Sequence, residues 1–424
     1  MKYIDFVDLN YKPKSSDLIC SFYLEKDENS LLTYHELAGG VAAESSIGTW
    51  TTLTTEKPYM QKLAAKVFEI KNNWIKIAYP LELFELNNIP NIMSSIAGNI
   101  FGLKDIKNLR LEDINFPDEL VRHYRGPLYG LEGIRKLLKV KKRPLIGTII
   151  KPKLGLNSKD HAKVAYDAWI GGCDIVKDDE NLASQSFNRF ESRVIETLRM
   201  RDKAEKETGE KKVYMPNVTA ETSEMIKRMN FVKHCGGEYA MVDILTIGWS
   251  GLQTLRNYNQ EIKLVLHAHR AGHAALTRNP KHGISMLVIA KLTRLIGMDQ
   301  LHIGTAVGKM EGPAREVTFL EEEIEKSIIR EKGHALAEKW HNIKPMFAVC
   351  SGGLHPGLIP KLIKLLGNDI ILQLGGGIHG HPFGTVKGAM AARQAVDAAM
   401  KDISLKEYAK SHHELKLALN KWGY

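Results

Sequence analysis

The sequence predicts an α/β protein in which a C-terminal (β/α)8 TIM barrel is preceded by an N-terminal α+β domain of the ferredoxin-like type. The chain has 424 residues, which is enough for a barrel of about 250 residues and a second domain. Eight short apolar runs recur between residues 145 and 377, and the segments between them have room for a helix and two loops. Residues 1–125 lack this regularity. We therefore predict two domains, 1–125 and 126–424.

The composition is that of a folded protein in a reducing compartment. Hydrophobic residues make up 44% of the chain and charged residues 25%, which excludes global disorder. The four cysteines form no C-x-x-C pair, so we expect neither a disulfide framework nor a cysteine zinc site. The N-terminus has no apolar signal core, and no uncharged apolar run reaches about 18 residues. We expect a cytoplasmic protein without membrane contact.

The N-terminal region predicts a mixture of strands and helices. In chain order these are a strand at 16–25, a helix at 35–46, a strand at 49–57, a hairpin at 63–83, a helix at 88–102 and a closing strand at 108–116. The hairpin is predicted because apolar and polar residues alternate on both sides of the Asn72–Asn73 turn.

The eight apolar runs predict the parallel strands of the barrel. Their nearly continuous apolar character is typical of strands that helices cover on the outside. The runs are LIGTII (145–150), CDIVKDD (173–179), KVYMPNVT (212–219), YAMVDILT (239–246), LVLHAHR (264–270), QLHIGT (300–305), MFAVCSGG (346–353) and IILQLGGG (370–377). Helices are predicted between them, for example at 192–210 and 285–298. The tail, 378–424, would supply the last helix and a C-terminal cap.

Polar residues and glycines stand at the C-terminal end of these runs, where the active site of a (β/α)8 barrel lies. In chain order they are Lys151, Lys153, Lys177, Asp179, Glu180, Asn217, Asp243, His267, His269, Arg270, His302, Ser351, Gly352, Gly353, Gly375, Gly376 and Gly377. A purely structural barrel does not need lysines, acids and histidines at one rim. The sequence therefore predicts an enzyme.

Several segments resemble the large subunit of ribulose-1,5-bisphosphate carboxylase/oxygenase (RuBisCO). They are AAESSIGTWTT (42–52), AGNIFG (97–102), GTIIKPKLGL (147–156), GGCDIVKDDEN (171–181), HAHRAGHAAL (267–276), HIGTAVGKMEG (302–312), SGG (351–353) and LQLGGG (372–377). These motifs stand in family order and span almost the whole chain. The short N-terminus and the HGHP segment (379–382) are most similar to the archaeal form III branch.

The resemblance implies a reaction and a cellular role. CO2 and water would convert ribulose 1,5-bisphosphate to two molecules of 3-phosphoglycerate, and O2 would attack the same enediolate in an oxygenase side reaction. In the archaeal branch the implied context is the salvage of nucleotide-derived ribose rather than a photosynthetic cycle.

Lys177, Asp179 and Glu180 form the predicted metal site. Residues two apart on a strand share a face, so Lys177 and Asp179 point inward and Glu180 begins the next loop. Carboxylates suit Mg²⁺, but an ammonium group repels it. The spacing alone favours an ion pair between Lys177 and Asp179 or Glu180. The resemblance implies that CO2 adds to Lys177 and forms a carbamate, the third ligand. The amine must be neutral to react, so we expect burial among cationic neighbours to lower its pKa.

Two phosphate sites are predicted on opposite sides of the metal, which indicates a bisphosphate. Arg270 and His302 are suited to bind one phosphate by charge-assisted hydrogen bonds. The last two strands end at the usual phosphate position of this fold, where backbone N–H groups approach anions. The residues there are Ser351, Gly352, Gly353, Gly375 and Gly376. The glycines are equally compatible with simple tight turns.

The roles at the reacting carbons come from the resemblance. The carbamate on Lys177 would remove the proton from carbon 3, after which CO2 adds to carbon 2, water hydrates carbon 3 and the bond between them breaks. Lys151 is the expected acid that protonates the final carbanion, and Lys153 is a nearby cation that tunes its pKa. His269 is expected to assist proton transfers at the ketone.

Lys309 is predicted to lie on a lid. It follows Gly304 and Gly308 on the loop after the sixth run, and a cation between glycines is typical of a loop that closes over substrate. By resemblance this lysine stabilises the incoming carboxylate. Ala306 stands where many family members have valine, and Gly272 stands where many have methionine. These two differences concern lid motion or packing and remove no catalytic group.

Four N-terminal residues are implied to act in the partner subunit. By resemblance Glu44 pairs with the lid lysine, Thr49 and Trp50 hold a phosphate, and Asn99 contacts the substrate. The implied assembly is a homodimer with shared active sites, and it is compatible with a decamer or another ring of dimers. No small subunit is expected.

Three other functions share single features with this sequence. The pair His267 and His269 also suggests a zinc hydrolase of the amidohydrolase kind. In those enzymes, however, the H-x-H pair lies on the first strand of the barrel. We expect His267 and His273 to be supporting residues. A carboxylase-like protein that enolises or isomerises another phosphorylated sugar would typically lack several of the phosphate and lid residues. The net charge of +10 and VKKRP (140–144) suggest nucleic-acid binding, but no stacking platform or zinc-finger spacing occurs.

Overall fold

A computed structural model gives the fold and describes residues 1–307 and 314–424. The strands are β1 (Leu18–Lys26), β2 (Lys66–Lys71), β3 (Trp74–Tyr79), β4 (Ile106–Asn115), β5 (Leu145–Ile149), β6 (Ile175–Lys177), β7 (Val213–Met215), β8 (Tyr239–Asp243), β9 (Val265–His269), β10 (Gly283–Ile284), β11 (Gln300–His302), β12 (Ile328–Ile329), β13 (Glu338–Lys339), β14 (Phe347–Ser351) and β15 (Ile370–Leu374). The helices are α1 (Tyr34–Glu44), α2 (Ile89–Ile96), α3 (Asp118–Arg122), α4 (Gly130–Leu138), α5 (Ser158–Ile170), α6 (Phe190–Thr208), α7 (Thr222–His234), α8 (Ile244–Ile262), α9 (Ala274–Thr277), α10 (Met286–Ile296), α11 (Ala314–Glu325), α12 (Ile359–Leu366), α13 (Gly376–His379), α14 (Gly384–Met400), α15 (Leu405–Tyr408) and α16 (His413–Trp422).

The first of two compact units comprises Met1–Gly126, Gly272–Ile296 and Lys326–Ile343. Its mixed sheet has the strand order β10-β4-β1-β3-β2. Strand β1 pairs antiparallel with β3 and β4, whereas the short β10 lies parallel to β4. The predicted N-terminal α+β fold is confirmed, and two later segments of the chain pack with it.

Most N-terminal elements match the sequence expectation, with one exception. The hairpin of β2 and β3 turns at Asn72, whose φ of 54° suits asparagine in a tight turn. The predicted strand at 49–57 is wrong, because that segment contains no strand and residues 50–55 are all exposed. Threonine-rich segments form strands when one face packs against a core, and here neither face is buried.

A buried ion cluster holds the first unit together. Lys291 of α10 lies with its Nζ 2.8 Å from Asp113 Oδ1 on β4 and 3.6 Å from Glu338 Oε2 on β13. All three side chains are completely buried, and Lys291 also donates to the carbonyl oxygen of Ile114. Helix α10 and strand β13 are therefore both tied to β4.

Replacing Lys291 by methionine is expected to destabilise the protein strongly, because two buried carboxylates would lose their cation. Breaking such a buried cluster typically costs about 3–5 kcal/mol. Thermal unfolding followed by circular dichroism would show a lowered Tm. The matched control is Lys107→Met, which removes the exposed ion pair with Glu28 in the same unit and should leave the Tm nearly unchanged. Equal Tm values for the two variants would contradict this account.

The second unit comprises Pro127–Ala271, Gly297–Glu325 and Lys344–Tyr424 and contains the barrel. Its eight strands are parallel, in the order β7-β6-β5-β15-β14-β11-β9-β8. The two edge strands meet through backbone bonds, since Met241 N donates to Pro216 O at 2.9 Å and Val218 N donates to Met241 O at 3.0 Å. All eight predicted strands are confirmed. In the part of the chain that the structure describes, no helix has the length and apolar character needed to cross a membrane.

Candidate active site

Strand periodicity arranges the inside of the barrel in layers. The lowest layer is a buried apolar cluster of Leu145, Ile175, Val213, Tyr239, Val265, Phe347 and Ile371. Side chains alternate between the two faces of a strand, so the residues two and four positions further along also belong inside. Those positions include Lys177, Asp179, Asn217, Asp243, His267, His269, Ser351 and Gly375. The polar residues therefore converge at the C-terminal rim of the barrel.

Lys177 ends β6 with its side chain buried and only 1% exposed. Its Nζ donates to the carbonyl oxygen of Asp178 at 2.8 Å and to Met241 Sδ at 3.2 Å. Burial lowers the pKa of Lys177, although the negative charges of Glu180 and Asp179 act in the opposite direction. The charges with the largest effect on Lys177 are thus those of carboxylates rather than the cations expected from the sequence, and desolvation is what favours the neutral amine.

The two predicted carboxylate ligands have different partners. Asp179 Oδ2 accepts a hydrogen bond from Lys151 Nζ at 2.6 Å. Burial would raise the pKa of Asp179, but the hydrogen bonds from Lys151 and Asn181 outweigh it and lower the pKa. Glu180 is partly exposed, with Oε2 3.6 Å from His269 Nε2. Within the described residues no ion pair joins Lys177 to either carboxylate, and no three His, Cys, Asp or Glu side chains form a metal-binding group.

Asp178, between the two inward-facing residues, anchors this segment from behind. Its Oδ2 accepts from Arg193 Nε and from the backbone N–H of Asn217, both at 3.0 Å, and its Oδ1 accepts from the Tyr214 hydroxyl at 2.7 Å. Burial raises the pKa of Asp178, but the Arg193 charge and the hydrogen bonds have the larger, opposite effect. The pKa is therefore below its usual value, and the group is ionised. Sequence reasoning passed over this residue, although alternation along the strand assigns it to the helix-facing side.

Asp243 orients His269. The Nδ1 atom of His269 lies 2.9 Å from Asp243 Oδ1. A carboxylate can only accept, so Nδ1 carries the hydrogen, and in the neutral ring the lone pair is on Nε2. That nitrogen faces Glu180 across 3.6 Å. His269 is therefore placed to take up or release a proton at Nε2 beside the predicted metal site.

His302 and His267 form a buried pair. Their Nε2 atoms lie 2.9 Å apart, and His302 Nδ1 lies 2.7 Å from Ser351 Oγ. His267 Nδ1 lies 2.8 Å from Gln300 Oε1. Burial lowers the pKa of both histidines well below the usual value, so both rings are neutral near pH 7. Both nitrogens of His267 are engaged by protein groups, which disfavours the zinc-hydrolase reading of the H-x-H pair.

Arg270 and the strand-end glycines form the predicted phosphate positions. Burial lowers the pKa of Arg270 to about 10, so the guanidinium stays charged near neutral pH. After β14, Gly352 and Gly353 have φ values of 117° and 68°, in the left-handed region that side chains rarely adopt. A Cβ on Gly375 would lie 3.3 Å from Lys151 Cε, so a side chain there would crowd the lysine. Gly376 begins the short helix α13.

The N-terminal candidates lie in the first unit. Glu44 ends α1, and its Oε1 accepts from the Tyr3 hydroxyl at 2.8 Å. Thr49 is half-buried, Asn99 is exposed, and the Trp50 side chain is 80% exposed. The exposed indole of Trp50 is available for contact with another chain.

Three other sequence candidates lie apart from these contacts. Lys153 is exposed after β5. His273 lies in the first unit, with Nδ1 2.9 Å from Thr277 Oγ1. Lys309 falls outside the described residues.

Two family models match the chain. Residues 5–120 match the description "Ribulose bisphosphate carboxylase large chain, N-terminal domain", and residues 130–422 match "Ribulose bisphosphate carboxylase large chain, catalytic domain". The ribulose bisphosphate carboxylase of Methanosarcina mazei is 53% identical over 424 residues, with 99% of each chain covered. That of Pyrococcus furiosus is 50% identical, with 100% of this chain and 98% of the relative covered.

Solved structures extend the likeness to the fold. The dimeric archaeal Rubisco from Hyperthermus butylicus superposes with a TM-score of 0.94 at 47% identity, covering 100% of this chain and 99% of that one. The octameric ribulose-1,5-bisphosphate carboxylase/oxygenase from Pyrococcus horikoshii, in complex with sulfate, gives a TM-score of 0.93 at 47% identity, with coverages of 100% and 97%. These relatives are archaeal, as the N-terminus and the HGHP segment predicted.

Proposed function

The chain belongs to the ribulose bisphosphate carboxylase large-chain family and is an enzyme of that activity, and from this premise we propose that it uses Mg²⁺ and a carbamate formed on Lys177. The observation that carries the proposal is the buried Lys177 amine beside two carboxylates at the barrel rim. We include in the proposal the oxygenase side reaction, the supply of substrate from nucleotide-derived ribose and a cytoplasmic location.

The side chains at the end of β6 fit a magnesium site with one ligand still to be made. Asp179 and Glu180 offer the hard oxygen donors that Mg²⁺ prefers. Among the described residues, Lys177 Nζ donates to a carbonyl oxygen and a thioether and to no carboxylate, and burial favours its neutral form. A neutral amine can combine with CO2 and release a proton, and the resulting carbamate anion would be the third protein ligand. When bound, Mg²⁺ would stabilise negative charge on the substrate oxygens as a Lewis acid.

Two residues beside this site are placed to handle protons. Lys151 Nζ, 2.6 Å from Asp179 Oδ2, holds a proton that it can deliver to a carbanion in the same space. His269 presents Nε2 to the site because Asp243 holds the hydrogen on Nδ1. Lys153 is more remote, and its effect would be that of a nearby positive charge.

One charged side chain and two glycine-containing segments would bind the two phosphates. Arg270 supplies the permanent positive charge for one phosphate. The turn at Ser351–Gly353 and the segment at Gly375–Gly376 would offer backbone N–H groups to phosphate, as the ends of the last two barrel strands commonly do. His302 has both ring nitrogens engaged, so it would contact phosphate only by exchanging one of these bonds.

We propose that the active site is completed by a second subunit. Glu44, Thr49, Trp50 and Asn99 would reach the partner's barrel, and Lys309 would act on the incoming carboxylate together with Glu44 of the partner subunit. The exposed Trp50 supports this proposal, as do the dimeric and octameric states in the titles of the solved relatives. A homodimer is then the smallest active form.

Replacing Asp243 by asparagine tests the proton role of His269. The amide can donate to Nδ1, which would put the hydrogen on Nε2 and remove the lone pair from the site. We expect carboxylation and exchange of the carbon 3 proton with solvent to fall together, on the order of 10²-fold. Asp202→Asn, at a mostly exposed position, is the control. Full proton exchange in Asp243→Asn would remove His269 from the proton pathway.

A further inference from the structure

A line of hydrogen bonds runs through the barrel interior from Gln300 to the rim. Gln300 Oε1 lies 2.8 Å from His267 Nδ1, the two Nε2 atoms of His267 and His302 are 2.9 Å apart, and His302 Nδ1 is 2.7 Å from Ser351 Oγ. Gln300, His267 and His302 are all at most 2% exposed. Water therefore has little access to exchange partners with these groups.

Because the amide oxygen of Gln300 faces His267, the hydrogen bonds of this line run in one direction. The amide oxygen of Gln300 can only accept, so His267 carries its hydrogen on Nδ1 and offers a lone pair at Nε2. His302 must then donate from its own Nε2, which leaves its Nδ1 as an acceptor. The one hydrogen of the Ser351 hydroxyl is thus directed inward, and its oxygen presents lone pairs to the rim.

The contact with His267 sets the orientation of the amide. Gln300 Oε1, rather than Nε2, lies against His267 Nδ1. In the described structure neither Gln300 Nε2 nor the buried Tyr239 hydroxyl has a hydrogen-bond partner, so no second contact holds the NH2 group. A reversed amide would place its donor against His267 and reverse the direction of every bond up to Ser351.

We infer that Gln300 is a positioning residue that sets opposite tautomers on His267 and His302. Through His302 it fixes the direction of the Ser351 hydroxyl at the substrate site. Register explains how the three side chains meet: Gln300 of β11 is the direct neighbour of His267 of β9, and Gln300 and His302 share the inward face of β11. The kinetic consequence rests on the proposed function, whereas the tautomers do not.

The tautomers can be read directly by NMR of the full-length protein labelled with ¹⁵N-histidine, without any ligand. We expect His267 to be protonated on Nδ1 and His302 on Nε2. Ser351→Ala, which removes a partner only from His302, assigns the His302 signal. A wild-type His267 protonated on Nε2 would overturn the inference, whatever any variant does.

Gln300→Met tests the cause, because methionine has a similar shape but offers no comparable acceptor. Both rings should lose their wild-type tautomers together. Gln373→Met is the matched control: Gln373 is also buried inside the barrel, and in the described structure its side-chain nitrogen and oxygen have no hydrogen-bond partner. Its substitution should leave both tautomers unchanged. Wild-type tautomers in Gln300→Met would overturn the inference.

The kinetic signature is a weaker binding of the bisphosphate. With the Ser351 hydroxyl free to point either way, the KM for ribulose 1,5-bisphosphate should rise about tenfold in Gln300→Met, with a smaller change in kcat. A fall in kcat with unchanged KM would contradict the positioning role. If the wild-type protein showed no carboxylation, the proposed function would be refuted. The tautomer measurement would still decide whether Gln300 positions His267 and His302.

Discussion

Lys177→Ala is expected to abolish activation by CO2 and Mg²⁺ and to lower carboxylation by on the order of 10⁴-fold or more. The variant lacks the buried amine that contacts Met241 and senses the charges of Asp179 and Glu180. Without it the site keeps two carboxylates and has no third anionic ligand for the metal. The measurement is carboxylase activity with and without preincubation with bicarbonate and Mg²⁺, combined with Mg²⁺ binding by calorimetry.

A second buried lysine is the control for this substitution. Lys212 precedes β7 in the same barrel, is also completely buried, and is held by Glu210 and the carbonyl oxygen of Cys173. Lys212→Met should lower the Tm but keep the response to bicarbonate and Mg²⁺. Retained full activity of Lys177→Ala would refute the carbamate assignment.

Activation should also depend on pH in a defined direction. Only the neutral amine of Lys177 reacts with CO2, and burial lowers its pKa. The neutral fraction grows as pH rises through that pKa, so activation at constant dissolved CO2 should become faster at higher pH. An activation rate that falls as the pH is raised would contradict the role of a neutral amine.

Mixing two inactive variants is expected to restore about a quarter of the wild-type activity, because random pairing makes half of the dimers mixed and gives each of these one intact site. The variants are Glu44→Gln and Lys177→Ala. In a mixed dimer both substitutions fall in one active site, and the other receives a native Glu44 from one chain and a native Lys177 from its partner.

The result is interpretable only if the subunits exchange. Native mass spectrometry of differently labelled variants would measure the fraction of mixed dimers, and each variant incubated alone is the control. No recovery of activity despite verified exchange would mean that the site forms within one chain. Recovery in proportion to the mixed dimers supports the shared site.

The barrel could be predicted from the sequence because its signals are local. Eight apolar runs, each ending in polar residues or glycine, correspond to the eight strands, and counting by two along each run places Lys177, His269 and Ser351 on the inner face. The direct neighbours Gln300 and His267 required the register between β9 and β11. A single run does not carry that information, which is why Gln300 was missed.

The first unit shows where such reasoning stops. Residues 272–296 lie between two barrel strands in the sequence, and the helix predicted at 285–298 corresponds to α10. Their packing with the N-terminal sheet depends on the contacts of Lys291 with Asp113 and Glu338. These three residues are far apart along the chain. Long-range ion pairs leave no periodic pattern in the sequence. The strand predicted at 49–57 failed for a related reason, since local β-propensity does not reveal whether a face is buried.

The most direct test of the central claim is incorporation of radiolabelled CO2 into acid-stable 3-phosphoglycerate. The protein would be preincubated with bicarbonate and Mg²⁺ and then given ribulose 1,5-bisphosphate, anaerobically and over a range of temperatures. The account predicts label in phosphoglycerate that depends on the preincubation. Exchange of the carbon 3 proton without any label would contradict it and would identify an enolising relative that binds the bisphosphate but does not complete carboxylation.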